Sequence, residues 1–263
     1  MRKDLTMIIN SCDKFSDLWD IHVQLLEENW NDRGIRTIIS TDKQTSKQYK
    51  NVEIISSKDG DEITSRLLYT LSKVDSEYIL ITLDDYFLTK KINTKDIYEL
   101  VDYMKVNNVD YIRMFKRTKS KKIVFKNMNL RLLTLEQNYE VNLYPGLWKK
   151  SFLLNTIDKS LNAWQYEVSL TKKAKMLGAK CLVCNNNYFP ILDVIRKGKL
   201  LRKANRYLKK KKLSLPQREL ISRKEEIRIK IFTLGRRMLP KKIFLAIKNK
   251  MIKSGRKFYS DGL

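Results

Sequence analysis

The chain has 263 residues, 43% of them apolar, with 8 Gly and 4 Pro, which excludes global disorder, collagen-like or low-complexity architecture and long flexible linkers, and allows one sizeable domain with an appendage or two small ones. Its formal net charge of +25 is unevenly placed: residues 1–195 carry 30 Lys/Arg against 25 Asp/Glu, whereas residues 196–263 carry 24 against 4. The excess charge belongs to the last quarter of the chain, and the remainder is a near-balanced globular sequence.

In chain order, Leu5–Ser11 is a short apolar run suited to a buried strand. Asp17–Trp30 spaces its apolar residues at helical intervals, and Ile35–Ser40 and Val52–Ser56 are β-branched runs. Ile63–Val74 predicts a helix, Tyr78–Leu83 the most apolar strand, Thr94–Val106 an amphipathic helix and Tyr111–Phe115 another strand. Strands alternating with such helices imply a largely parallel sheet covered on both faces. Lys122–Leu135 reads as a hairpin or inserted loop, Ser151–Ile157 and Trp164–Leu177 as helices, and Lys180–Cys184 as a further strand. From Leu200 onward Lys and Arg dominate. Glu225–Met238 and Lys241–Lys253 interleave Ile, Phe, Leu and Met with basic residues at helical spacing, and Pro240 separates them.

Three cysteines, Cys12, Cys181 and Cys184, with no signal-like apolar region, predict a reduced, cytosolic protein. No stretch approaches the roughly 18–20 apolar residues of a membrane span. Cys181 and Cys184 match a CxxC spacing, but on a strand they face opposite sides, so buried thiols are expected. His22, the only histidine, is expected on the polar side of its helix.

Three groups of residues bear on chemistry. Asp84 and Asp85 follow the most apolar strand, at the carboxyl end where open α/β sheets bind ligands. Adjacent carboxylates raise one another's cost of ionisation, and a divalent cation shared with phosphate oxygens removes that cost. By themselves they describe a solvated turn equally well. The loop from Ser11 to Asp17 offers hydroxyls and carboxylates to a nucleoside, with Asp13 the better ligand and Ser16 or Asp17 expected to cap the following helix. It contains no GxGxxG or GxxxxGK[ST] pattern. Glu167, within Trp164-Gln165-Tyr166-Glu167, has aromatic neighbours that can dry a carboxylate and raise its pKa towards that of a general base.

The order of Ser11-Cys12-Asp13-Lys14-Phe15-Ser16-Asp17-Leu18-Trp19, Arg66-Leu67, Tyr78–Leu88 with its Asp-Asp-Tyr-Phe-Leu, Tyr144-Pro145-Gly146-Leu147-Trp148 and Trp164–Glu167 resembles family 2-like bacterial GT-A glycosyltransferases of capsule and lipopolysaccharide clusters. The resemblance covers about residues 5–200. It implies a GT-A (Rossmann-like) α/β domain over residues 1–199, with a mostly parallel sheet flanked by helices; the basic α-helical extension expected over 200–263 rests on its own charge and helical spacing. The resemblance also implies a nucleotide-sugar donor, expected to be a UDP-sugar, held by Ser11, Asp13, Asp42, Arg66 and Asp84. Mn²⁺ or Mg²⁺ is implied on Asp85 and Asp84, and Glu167 as the base that activates a glycan or lipid-linked acceptor with inversion. Arg196 and Lys199 are candidates for the diphosphate, and Trp148 and Trp164 for the acceptor. Gln165 departs from the more acidic motif of many relatives and leaves Glu167 as the only acid there.

The basic tail leaves rival classes open. Clustered Lys/Arg can bind nucleic acid, but interleaved apolar residues favour an anionic membrane surface, giving an expected peripheral location on the inner membrane face. A non-catalytic GT-A-like scaffold and a basic nucleic-acid-binding protein are the alternatives.

Overall fold

The computed structural model describes residues 2–114, 122–125, 128–215 and 217–238, with residues 243, 246, 247, 249 and 250 beyond them. Phe115, Pro240 and most of Lys241–Lys253 lie outside the described residues. The chain divides into two compact units, Met1–Leu192 and Asp193–Leu263.

The first unit is built on β1 (Leu5–Asn10), α1 (Trp19–Asn29), β2 (Arg36–Thr41), β3 (Glu53–Ser56), α2 (Ile63–Leu71), β4 (Tyr78–Leu83), β5 (Tyr86–Leu88), α3 (Thr94–Val106), β6 (Tyr111–Arg113), β7 (Lys122–Phe125), β8 (Leu130–Leu132), β9 (Gly146–Lys149), α4 (Lys150–Thr156), α5 (Ala163–Met176), β10 (Cys181–Cys184) and β11 (Ile191–Asp193). Nine strands form one sheet in the order β3-β2-β1-β4-β9-β6-β10-β8-β7, and β5 pairs with β11. Only β8 and β9 run against the common direction. The mostly parallel α/β reading therefore holds, and Lys122–Leu135 does contain an antiparallel pair.

Strand alternation divides the apolar residues between two cores. On β1, Leu5, Met7 and Ile9 join Trp19, Val23 and Leu26 of α1 and Ile97, Leu100, Val101 and Met104 of α3. Ile8 faces the other way, with Ile63, Leu67 and Leu71 of α2, Phe152 and Leu153 of α4, and Tyr166, Leu170 and Ala174 of α5. Cys184 belongs to the first core and Cys181 to the second, both free thiols on opposite faces. The strand period of two dictates this partition.

Two local expectations are corrected. The chain enters α1 through a 3₁₀ helix, Asp13–Leu18, and no side chain caps either segment, so Ser16 and Asp17 are not the predicted caps. The antiparallel strand β9, inserted between β4 and β6, has no counterpart in the sequence reading, which assigns no element to Tyr144–Trp148. Gly146 is required by a close approach: a Cβ there would lie 2.9 Å from the Tyr111 ring and 3.2 Å from the Ile112 carbonyl oxygen.

In the second unit, β12 (Ile195–Arg196) and β13 (Lys199–Leu200) form a small hairpin, followed by α6 (Arg202–Lys210) and α7 (Arg223–Met238). Lys197 and Gly198 turn the hairpin with φ of 53° and 76°, the left-handed pair that suits a two-residue connection. Val194, Ile195, Leu200, Ala204, Leu208, Leu215 and Ile221 are its buried apolar residues. Ser222 and Glu225 exchange side-chain and backbone hydrogen bonds at 3.1 and 3.2 Å and start α7 as a capping box. Among the described residues, no helix is long and apolar enough to cross a membrane.

Gly146→Ala is expected to lower unfolding stability by about 1–3 kcal/mol through overpacking against Tyr111 and the β6 backbone, measured as a fall in the denaturant midpoint at unchanged slope.

Candidate nucleotide-sugar site

Parallel pairing brings three strand ends together. Asn10 lies in register with Ser40 on one side and Leu83 on the other, so Ser11, Asp42 and Asp84 follow neighbouring strands at one edge of the sheet. The Ser11 hydroxyl donates to the Asp84 carboxylate, and Trp19 Nε1 donates to the same hydroxyl at 2.7 Å. The Asp13 amide donates to Asp42 Oδ1 at 2.7 Å. Burial works against ionisation of Asp42, but this amide, its own, the Arg66 charge and the Thr41 hydroxyl outweigh it and hold the carboxyl below its usual range. Arg66, on the first turn of α2, donates to the Asp61 carbonyl and is largely buried. Its charge also reaches Cys12, whose thiol is pushed up first by burial and then by Asp84. Ser11, Asp13, Asp42, Arg66 and Asp84 are thus gathered at one site.

The two central acids differ. Asp84 is buried and turned towards Ser11, while Asp85 is only half-buried. Among the described residues, no group of three or more His, Cys, Asp and Glu side chains is placed to hold a metal. The donor set at this strand end, one or two carboxylates, fits a hard cation whose coordination is completed by phosphate oxygens rather than a closed protein cage.

His22 is corrected from a surface position to a buried one. Its Nδ1 lies 2.9 Å from the Asp84 carbonyl oxygen, and its ring meets Phe87 edge-on at 5.8 Å. A carbonyl only accepts, so Nδ1 carries the hydrogen. Burial lowers the imidazole to about 4, against a small opposing effect of this hydrogen bond.

On the other side of Asp85, Tyr86 stacks on Tyr144 with ring centres 5.3 Å apart and planes 7° from parallel. The Arg113 guanidinium lies 5.4 Å from the centre of the Tyr144 ring and donates to the Tyr139 carbonyl at 3.2 Å. Arg113 ends β6, and its charge reaches Glu167 in α5. Loss of solvent raises the Glu167 carboxyl, opposed by the Leu143 amide at 3.4 Å and by Arg113. Glu167 is half-buried, and the raised carboxyl predicted for it has another source than its aromatic neighbours. Tyr166 points away to Thr156 at 3.0 Å, and Trp164 is 56% exposed. Gln165 has a structural duty: Asn162 caps α5 through the Trp164 and Gln165 amides at 3.1 and 3.0 Å, and Gln165 Oε1 accepts from the Asn162 amide at 3.2 Å.

Trp148 is fully buried, with its ring centre 4.4 Å from that of Tyr111 and 5.9 Å from that of Phe152, so it presents no face to an acceptor. Arg196 and Lys199 belong to the second unit, where Arg196 pairs with Asp193 at 2.5 Å and Lys199 with Glu219 and Glu225 at 3.5 and 3.4 Å. Sequence reading missed Arg113, Tyr86, Tyr144 and the buried role of His22. It also missed Asn10, whose side-chain amide ends β1 with neither polar atom hydrogen-bonded, a cost of about 1–3 kcal/mol per buried group.

No family model and no curated protein matches the chain. Solved structures do. The mannosyltransferase PcManGT of Pyrobaculum calidifontis, in complex with GDP-Man and Mn²⁺, is 12% identical over 75% of this chain and 59% of its own, with a TM-score of 0.51. TarS 1–349 of S. aureus in complex with UDP-GlcNAc is 12% identical over 75% of this chain and 60% of its own, with a TM-score of 0.50. The chain spans less than two thirds of the length of either. The fold shared with them is the GT-A fold.

The buried neutral His22 makes stability pH-dependent. Its folded pKa lies below the unfolded value of about 6.5, so the unfolded chain takes up the proton first and stability falls as pH drops from about 6.5 to about 4. Wild type is expected to lose on the order of 2–3 kcal/mol more than His22→Gln across that window, measured by urea unfolding near its two ends.

Proposed function

We propose that this protein is a metal-dependent glycosyltransferase that moves a sugar from a nucleotide-sugar, a UDP-sugar by preference, to a hydroxyl of a glycan or lipid-linked acceptor in bacterial surface polysaccharide synthesis. The reading rests on one juxtaposition. At the carboxyl end of β4 in a GT-A sheet, the Asp84-Asp85 turn adjoins a polar cradle of Ser11, Asp13, Asp42 and Arg66, and the Tyr86–Tyr144 stack and Arg113 link that turn to the half-buried Glu167. The nucleotide-sugar complexes of the two similar structures support the donor class, and the Mn²⁺ of one supports the cation.

In this reading the cradle holds the base and ribose, and Asp85, with Asp84 behind it, would hold Mn²⁺ or Mg²⁺ on the donor diphosphate. The cation supplies charge stabilisation for the leaving nucleoside diphosphate. Glu167 takes the proton of the acceptor hydroxyl as its oxygen forms a bond to the anomeric carbon, while the bond from that carbon to the diphosphate oxygen breaks. Attack opposite the leaving group inverts the centre. Arg113 keeps Glu167 ionisable despite its half-buried setting, and Trp164, exposed at the start of α5, is available to a sugar ring. The basic second unit exposes Ile227, Ile231 and Leu234 on α7, in keeping with a peripheral position on the inner membrane face.

Donor binding is tested by calorimetry with UDP-, GDP- and dTDP-sugars with and without Mn²⁺, and transfer by turnover. Asp85→Ala is expected to weaken metal-dependent donor binding by about 100-fold or more. Glu167→Gln is expected to keep donor binding and lower kcat by about 10²–10⁴-fold. Binding of no nucleotide-sugar by the wild type sinks the reading.

The acid limb of kcat/KM carries a second test. The base works ionised, so activity falls as pH drops through the raised pKa of Glu167. Arg113→Met removes an opposing positive charge and is expected to move that limb to higher pH, with Arg113→Lys restoring part of the shift. An unmoved limb would exclude this role for Arg113.

A further inference from the structure

The second unit contains a cleft of about 410 Å³ lined by Arg202, Asn205 and Arg206 of α6, by Leu220, and by Arg223, Glu226 and Ile227 of α7. The spacing explains the lining. Positions 202, 205 and 206 share one face of α6, and 223, 226 and 227 share one face of α7. Three arginines and one glutamate therefore line the cleft. Arg202 Nε is buried there without a hydrogen-bond partner. Two nearby acids, Glu219 and Glu225, are turned to Lys199 at 3.5 and 3.4 Å.

A lining with three positive charges and one negative one is complementary to a group of charge about −1.5 to −2, which is that of a phosphate monoester near neutral pH. Guanidinium forks suit phosphate oxygens better than isolated ammonium groups do. The cleft also has an apolar exit. Ile227, which lines it, begins an exposed row with Ile231 and Leu234, 54%, 65% and 55% exposed, at the i, i+4, i+7 spacing of one helix face. A ligand that satisfies both parts is a phosphate group carried by a hydrocarbon chain.

We propose that this cleft is a binding site for the terminal phosphate of a lipid, separate in its residues from the proposed donor site. It rests on the membrane reading of the second unit, because the ligand is met at a bilayer surface. The chain would then do more than adhere to anionic membrane. Arg202, Arg206 and Arg223 select a terminal phosphate, and the α7 row covers the adjoining hydrocarbon.

Flotation of the full chain with vesicles tests this. Phosphatidylcholine vesicles carry either phosphatidic acid, a monoester, or phosphatidylglycerol, a diester, matched for surface charge. Wild type is expected to bind the phosphatidic acid vesicles about tenfold more tightly, as one or two additional charge-assisted hydrogen bonds would give. Arg206→Gln with Arg223→Gln, both at exposed positions, is expected to bind the two vesicles alike, and Ile231→Ser with Leu234→Ser to weaken both. Equal binding of the two vesicles by wild type overturns the cleft and leaves the membrane reading standing; binding of neither overturns both. Inorganic phosphate that binds as tightly as the vesicle-borne group overturns the lipid as its source. Donor calorimetry on the same preparations separates these outcomes from failure of the glycosyltransferase reading, since neither double variant touches the proposed donor residues.

Discussion

The hydrogen bond from the Ser11 hydroxyl to the Asp84 carboxylate joins the ends of the neighbouring strands β1 and β4, and the geometry of the site follows from it. The hydroxyl has one hydrogen to give. Trp19 Nε1 donates to its oxygen, and a carboxylate only accepts, so the hydrogen goes to Asp84, with the Cys12 carbonyl a longer alternative at 3.3 Å. Three residues further along α1, His22 holds the backbone carbonyl of the same aspartate. One helix thus clamps both the side chain and the main chain of Asp84, the first directly through Ser11. The adjacent Asp85 is left as the more exposed of the two acids. A buried carboxylate so close to a second one is tolerable only with such donors. A protonated His22 would add a buried charge without an acid facing it, which is why its neutral form belongs to the native state.

The surroundings of Glu167 follow a different logic. Asn162 and Gln165 use their side chains to satisfy the first amides of α5, so an acid at position 165 would trade a neutral capping partner for a charge next to Glu167. With glutamine there, Glu167 is the single titrating group of that turn. Its environment comes from tertiary structure: the Leu143 amide, Arg113 at the end of β6, and the Tyr86–Tyr144 stack that ties this group back to the Asp84-Asp85 turn. Burial and the Arg113 charge act in opposite directions on the carboxyl, and burial prevails.

How much of this was legible in the sequence depended on whether the signal was local. Strands β1, β2, β4 and β10 and the helices α2, α3 and α5 follow from apolar periodicity, and their ends fall within a few residues of the predicted ones. Asp84 and Asp85 were legible because an acidic pair directly after a buried parallel strand has only the sheet's carboxyl edge to occupy. Strand β9 was not legible: its four residues are extended by pairing with β4 and β6 on both sides, a non-local cause. Trp148 shows the same limit in reverse. An aromatic in a turn-like stretch resembles a binding residue until the strand it sits on is found to be central. Arg113 and Tyr144, some 30 residues apart in sequence, reveal their meaning only when β6 and the loop before β9 are placed together.

The charge distribution completes the physical picture. The first unit holds the proposed diphosphate site, yet its composition is nearly neutral, and the cations that flank the site, Arg66 and Arg113, are both largely buried. A fixed charge in a low-dielectric setting acts at short range with little screening, whereas exposed charges are screened over roughly 8–10 Å in physiological salt. Donor recognition built on Arg66 should therefore depend weakly on ionic strength. The second unit, with many exposed Lys and Arg, is in the opposite regime, in which any attraction to an anion is long-ranged and salt-sensitive. A dense exposed basic field attracts any polyanion, whereas a few buried guanidinium groups and paired carboxylates select by geometry.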